Sequence, residues 1–140
     1  MQEPYQNEGI EGLNKLVKVI IAECKNIHTA VGSNLLAPVY KQMLYQALLK
    51  KGFFVQRQEP VYAPSDLQQV EVDMKAEFVV ENSVICDIKS VDAILPMHKK
   101  ALDNFLRLSN KPVGLLINFK APHLKDGMVK LVNNNYKKHF

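Results

Sequence analysis

Cysteine is scarce in this 140-residue chain, which has only two, and neither lies in a CxxC pair. Cys24 and Cys86 both fall at apolar positions of periodic segments. This placement predicts buried thiols in a reducing compartment rather than a disulfide or a zinc site. The chain also lacks a serine–histidine–acid arrangement, a glycine-rich phosphate loop and zinc-ligand spacing. The sequence therefore gives no sign of the enzyme classes that use those motifs.

Long hydrophobic runs are absent as well, and none approaches membrane-spanning length. The first nine residues, MQEPYQNEG, carry acids and no apolar core, so we expect no signal peptide and a cytoplasmic location. A formal net charge of +4 is compatible with a nucleic-acid or phosphate partner without requiring one. The length suits a single domain over residues 1–140, with residues 1–11 and 134–140 loosely ordered.

Three segments have the apolar spacing of amphipathic helices. Steps of three and four predict the first helix from Gly12 to His28. The second is predicted from Pro38 to Lys51, because proline suits a first helical turn and the following Gly52 suits a C-terminal stop. The third is predicted from Met97 to Ser109, after a Leu-Pro pair.

Between and after these helices lie strand-like segments. Phe53–Glu59 reads as a strand closed by Pro60, and residues 61–69 as a loop or an excursion at the sheet margin. The apolar run Val113–Phe119 is typical of a strand buried on both faces at the centre of a sheet, and Met128–Val132 is a last short strand. The element order predicts an α/β fold of the α+β kind, a central mixed β-sheet flanked by helices.

The charged residues of greatest interest lie in a predicted hairpin, with strands at Val72–Val80 and Val84–Ser90. Strand alternation places Asp87 and Lys89 on one face of an otherwise apolar strand. Glu77 stands between apolar residues on the first strand. If the three groups converge, they form a small divalent-metal and phosphate site.

The length of the hairpin loop decides whether they converge. A two-residue loop would pair Glu77 with Ile88 and place it on the face away from Asp87. A three-residue loop, Glu81–Ser83, or a bulge pairs Glu77 with Asp87 and adds Lys89 to the group. The alternative is that the aspartate and the lysine only form an ion pair at the end of an edge strand. The residues alone leave the two interpretations equally open.

In their order, these segments resemble the GxxExxY family of the PD-(D/E)XK nuclease-like superfamily, over about residues 13–133. Gly32–Tyr40 resembles the naming motif of the family, Ala76–Glu81 its "ADLLVE"-like strand, and Val84–Val91 its "VIVELKAV"-like strand. The match is completed by Pro96–His98, Gly114–Phe119 and Leu124–Gly127. The resemblance implies a PD-(D/E)XK, restriction-endonuclease-like core.

The resemblance also implies an activity, the Mg²⁺-dependent or Mn²⁺-dependent hydrolysis of nucleic-acid phosphodiesters, with DNA as the expected substrate. Glu77, Asp87 and the backbone carbonyl of Ile88 would bind the metal. Lys89 would orient or deprotonate the attacking water and offset charge in the transition state. The accessory candidates are Tyr40 and His98.

Several positions depart from the family pattern. Ala37 stands at the motif glutamate and Ala101 at a helical glutamine, while Glu77 and Asp87 exchange the aspartate and glutamate of the family. Lys89 is unchanged. Activity is therefore left open. The alternative is a catalytically inactive nuclease-fold protein that serves as a nucleic-acid-binding or protein-interaction module, with a possible homodimer.

A basic surface on the third helix is a candidate for contact with a phosphate backbone. The alternative is that its lysines form an ordinary solvated face. The residues concerned are Lys99, Lys100 and Arg107, with Lys137 and Lys138 near the C-terminus.

Overall fold

The computed structural model describes residues 9–63 and 70–139. Its helices are α1 (Gly9–Val31), α2 (Ala37–Lys50) and α3 (Pro96–Ser109). Its strands are β1 (Val55–Ala63), β2 (Val70–Val80), β3 (Val84–Lys89), β4 (Val113–Asn118) and β5 (Met128–Val132). Two 3-10 helices cover Leu124–Gly127 and Asn134–His139. In the part of the chain described, no helix is both long and apolar enough to cross a membrane.

The strands form one five-stranded sheet in the order β1-β2-β3-β4-β5. All neighbouring strands are antiparallel except β3 and β4, which are parallel and are joined through α3. The predicted mixed sheet with flanking helices is confirmed. All six residues of β4 are buried, as predicted, but the middle strand of the sheet is β3.

Helices cover both faces of the sheet. On one face α1 and α2 pack against the strands, and the two cysteines lie in this core. On the other face Leu102, Phe105 and Leu106 of α3 pack against the sheet. Both cysteines are free and buried, as predicted, and burial raises the pKa of the Cys24 thiol to about 12.

Several element boundaries differ from the predictions. Strand β1 continues through Pro60 to Ala63, with a shift of register between Pro60 and Val61. Proline is tolerated there because β1 is an edge strand and the ladder is interrupted at the shift. Helix α1 begins at Gly9, and a 3-10 helix forms at 134–139, where loose order was expected. The predicted loop residues 64–69, and residues 1–8 and 140, lie outside the described ranges.

Gly127 lies too close to the backbone to carry a side chain. A Cβ atom there would be 2.6 Å from the carbonyl oxygen of Asn118 and 2.8 Å from the Cβ of Ala121. We expect Gly127→Ala to lower the free energy of unfolding by about 1–3 kcal/mol, because the overpacked backbone must shift. Urea denaturation measures this, with the exposed Lys125→Ala in the same 3-10 helix as control. A Gly127→Ala variant as stable as the control would contradict the close contact.

Candidate active site

The hairpin between β2 and β3 has the three-residue loop Glu81–Ser83. The pairs run from Val80↔Val84 to Phe78↔Cys86. Glu81 fixes the loop, because its N–H donates to the Phe54 carbonyl at 2.8 Å and its Oε1 accepts the Phe54 N–H at 3.1 Å. Of the two loop lengths that the sequence left open, the structure has the longer one, which the site hypothesis requires. If this register is continued by one residue beyond its last pair, position 77 comes opposite position 87.

Asp87 is a buried carboxylate whose charge is only partly balanced by Lys89. Its side chain is 6% exposed, and the Nζ atom of Lys89 lies 3.4 Å from Oδ1. This distance is at the far limit of hydrogen bonding. Among the described residues, Oδ1 has no hydrogen-bond partner. The expected ion pair is thus present, but β3 is the middle strand and not the edge strand of that interpretation.

Burial is the main influence on the protonation of Asp87. Desolvation raises the pKa of the carboxyl above its usual value, Lys89 opposes this increase, and Glu77 adds to it through charge repulsion. Lys41 also lowers the pKa of Asp87. Two carboxylates and two ammonium groups therefore interact at the carboxyl end of β3.

The backbone carbonyl of Ile88 is directed toward the side of β3 that faces β2. The Lys89 carbonyl accepts the Phe119 N–H at 2.9 Å and so points toward the β4 side. Successive carbonyls of a strand alternate in direction, which turns the Ile88 carbonyl the other way. It lies beyond Phe78↔Cys86, the last pair formed by β2 and β3. The Ile88 carbonyl is therefore free of the β2–β3 pairing and is available as an oxygen donor near the two carboxylates.

Glu77 is held by a residue that the sequence interpretation did not identify. The Nζ atom of Lys41, on α2, lies 2.8 Å from Glu77 Oε1. Lys41 is four residues after Ala37, so the two share one face of the helix. Beyond that spacing, the sequence gives no signal for the contact of Lys41 with Glu77. Lys41 thus presents an ammonium group to the site one helical turn after Ala37, the position where the resemblance implies a glutamate.

Two polar side chains position the chain around the end of β3. Ser90 Oγ donates to the Leu35 carbonyl at 2.8 Å, which joins the segment before α2 to the residue after Lys89. The buried side chain of Asn118 accepts the Val91 N–H at 3.0 Å and donates to the Val91 carbonyl at 2.9 Å. These bonds fix the backbone that carries Asp87 and Lys89.

The two accessory candidates have contacts of their own. Tyr40 is buried and stacks on Phe119, with ring centroids 4.4 Å apart. Its hydroxyl donates to the Gly32 carbonyl and accepts the Leu35 N–H. His98 Nδ1 accepts the Leu95 N–H at 2.9 Å, at the start of α3. The structure thus brings Glu77, Asp87 and Lys89 together, and gives Tyr40 a loop-holding contact and His98 a capping contact.

The oxygen atoms at this site fit a small hard cation. Mg²⁺ and Mn²⁺ prefer carboxylate, carbonyl and water oxygens. Glu77, Asp87 and the Ile88 carbonyl supply such donors, and the unpartnered Asp87 Oδ1 has capacity for one. No group of three or more histidine, cysteine, aspartate or glutamate side chains suited to a metal occurs among the described residues. Water and substrate oxygens would have to complete the coordination.

Comparison with known protein families matches residues 14–131 to the family described as the PD-(D/E)XK nuclease superfamily. The chain belongs to the PD-(D/E)XK nuclease superfamily. The matched range of this PD-(D/E)XK domain includes Glu77, Asp87 and Lys89. Nucleases of the superfamily generally use divalent metals such as Mg²⁺. No curated protein and no solved structure matches the chain.

Neutralising Asp87 is expected to stabilise the metal-free PD-(D/E)XK domain. The pKa of Asp87 is raised, so between the unfolded and folded values the folded state holds a proton that the unfolded state has lost. Stability is therefore lost as pH rises through that window. Asp87→Asn removes the titration, and we expect it to be more stable than wild type by roughly 1 kcal/mol at neutral pH.

Thermal denaturation from acid to neutral pH in the presence of a chelator measures the difference between wild type and Asp87→Asn. The difference should increase with pH and then level off. Asp92→Asn is the matched control, because Asp92 is exposed and its pKa is lowered by Lys120. If the difference in stability does not change with pH, or if Asp87→Asn is less stable than wild type, the charge of Asp87 does not destabilise the folded state.

Proposed function

We propose that the protein is a Mg²⁺-dependent or Mn²⁺-dependent phosphodiester hydrolase that acts on nucleic acid, with DNA as the first substrate to test, and that it is of the GxxExxY type. The observation that carries this proposal is the buried Asp87 Oδ1, which has no hydrogen-bond partner in the described part of the chain and lies next to Lys89. A buried carboxylate oxygen that has no hydrogen bond, and whose counter-charge Lys89 lies 3.4 Å away, costs free energy, which a bound cation would offset.

In this proposal each residue has a distinct role. Glu77, Asp87 and the Ile88 carbonyl would hold the metal, which supplies Lewis-acid polarisation of the phosphate when bound. As the ammonium ion, Lys89 would orient the attacking water and stabilise the phosphorane-like transition state by its charge; as the neutral amine, it would take the proton of the water and become charged in doing so. Its side chain is 30% exposed, so it is accessible to substrate.

A second candidate function is nucleic-acid binding without catalysis. It is favoured by the 2.8 Å contact between Lys41 and Glu77, because the ammonium group already neutralises one of the two carboxylates. Ala37 and Ala101 supply no side-chain ligand. In this case a homodimer contact would lie on edge strand β1 near Phe54, a residue that is 48% exposed.

Calorimetric titration with Mg²⁺ and Mn²⁺ tests the first proposal, using wild type, Asp87→Ala and Asp103→Ala. Asp103 is the control, since it pairs with Arg107 on the surface of α3. We expect dissociation constants of roughly tens to hundreds of micromolar for wild type and Asp103→Ala, and no binding by Asp87→Ala. Cleavage of single- and double-stranded DNA is then measured. If no metal binds up to millimolar concentration, with and without an oligonucleotide, the hydrolase proposal is wrong and nucleic-acid binding without catalysis is favoured.

A further inference from the structure

A cavity of about 520 Å³ adjoins the candidate active site. One wall comes from α2 and the other from β1, and β2 lies between them. Its polar lining consists of Lys41 and Gln42 on α2, Arg57 and Gln58 on β1, and Glu77 on β2. The volume is in the range of ligand-binding pockets. Because Glu77 belongs to both, a ligand in this cavity would lie beside one carboxylate of the candidate active site.

The backbone of β1 is distorted next to this cavity. Gln58 has a φ of 51°, in the left-handed region that non-glycine residues seldom adopt. Its neighbours form the regular pairs Arg57↔Phe78 and Glu59↔Ala76, so Gln58 is the residue opposite Glu77. Such strain persists only where the surrounding structure holds it, and it is enriched at functional sites. Here it places an amide side chain at the wall beside Glu77.

Arg57, the neighbour of Gln58 on the β1 wall, is preorganised by its contacts. Its guanidinium carbon lies 4.0 Å from the centroid of the Tyr45 ring, and Nη1 lies 3.5 Å from Gln42 Oε1. The ring of Tyr45 in turn stacks on Phe78, at 6.1 Å. A guanidinium supported on an aromatic face loses little freedom on binding and keeps donors at its edge for a phosphate.

Lys41 supplies the second cation of the cavity. Its ammonium group has three donors and directs one of them to Glu77 Oε1 at 2.8 Å. With Arg57 it gives the lining two positive charges against the single negative charge of Glu77. The excess is positive, and amide groups of Gln42 and Gln58 add neutral donors. The chemistry therefore selects an anion with several acceptor oxygens.

We infer that this cavity binds a phosphate of a polynucleotide strand, adjacent to the phosphate that would be hydrolysed. This rests on the proposed function, since it takes nucleic acid as the substrate. It also moves the expected phosphate contact away from α3. Arg107 there is paired with Asp103 at 3.0 Å, and α3 packs on the face of the sheet opposite to α2.

The test is the binding of a fluorescent single-stranded oligonucleotide in a chelator, where no metal-dependent cleavage occurs. Arg57→Gln and Lys41→Gln are each expected to weaken binding about tenfold. Each should also reduce the slope of log K against log salt by about 0.7, the value for one lost contact to a single strand. Arg107→Gln is the matched control, with wild-type affinity and slope.

Further measurements separate a lost contact from a lost fold. Thermal melting reports the folding of each variant, and Arg57→Lys should recover part of the affinity by restoring the charge. If Arg57→Gln and Lys41→Gln bind like wild type, the inference is overturned. It is also overturned if a mononucleotide or inorganic phosphate competes as tightly as the oligonucleotide, because the cavity would then be a site for free phosphate ligands.

The outcome is separable from that of the hydrolase proposal. If the variants weaken binding but the wild type neither binds Mg²⁺ nor cleaves, the phosphate site stands and the hydrolase fails. If the wild type cleaves and the variants keep full affinity, the hydrolase stands and the phosphate site fails.

Discussion

Lys89→Ala is expected to reduce the rate of phosphodiester cleavage by about 10²- to 10⁴-fold, the usual contribution of a positioned proton-transfer group. The variant loses the ammonium group that lies 3.4 Å from Asp87 Oδ1, while both carboxylates remain. Single-turnover cleavage of an oligonucleotide at saturating metal measures the effect. Lys18→Ala, at an exposed position of α1, is the control and should cleave like wild type.

Metal binding by Lys89→Ala must be measured beside its cleavage. Lys89 is the strongest influence that lowers the pKa of Asp87, so its removal raises that pKa further. A higher pH then ionises the carboxyl, so metal binding is measured over a range of pH and should be retained at the upper end. Retained binding with lost cleavage assigns Lys89 to the chemical step. Cleavage near the wild-type rate would contradict that role and leave the lysine as a counter-charge for Asp87.

The convergence of Glu77 and Asp87 could be predicted because it depends on local geometry. Side chains of a strand alternate with a period of two, so the length of the hairpin loop alone decides which residues face each other. The loop Glu81–Ser83 could be read from the sequence as one of two choices, and the structure contains the longer one. The burial of β4 was predictable for a similar reason, because a continuous apolar run needs cover on both faces.

Lys41 and Gln58 could not be predicted, because their roles depend on contacts distant in sequence. A lysine on a helix usually belongs to the solvated face, and only the packing of α2 beside β2 brings Lys41 to Glu77, 36 residues away. The left-handed conformation of Gln58 has no local signal, since glutamine is not a residue that favours it. The extension of β1 through Pro60 is a tertiary effect of the same kind.

Lys41 and Ala37 together distinguish the candidate site of this chain from the pattern of the family that its sequence resembles. Ala37, at the position where the resemblance implies a glutamate, carries no carboxylate, and Lys41 places a positive charge one helical turn away, against Glu77. A metal bound at the site and the ammonium group of Lys41 would both interact with the carboxylate of Glu77. Lys41 also lines the cavity beside Glu77, so its ammonium group can donate a hydrogen bond to a phosphate that enters the cavity.

Tyr40→Ala is expected to lower the free energy of unfolding by about 3–5 kcal/mol, the range for truncating a buried aromatic side chain. Tyr40 has no exposed surface and stacks on Phe119 at 4.4 Å. Tyr40→Phe keeps the ring but leaves the Leu35 N–H and the Gly32 carbonyl without their partner, for an expected loss of about 1–3 kcal/mol. Urea denaturation measures both changes.

Tyr136→Phe is the control, because the Tyr136 hydroxyl donates to Asn110 in an exposed position; we expect a change below about 0.5 kcal/mol. Metal titration of folded Tyr40→Phe distinguishes a structural tyrosine from a site residue. Since the hydroxyl is already engaged by the segment before α2, Tyr40→Phe should bind metal and cleave with little change under conditions where it is folded. Full stability with loss of cleavage would instead make the hydroxyl of Tyr40 part of the active site.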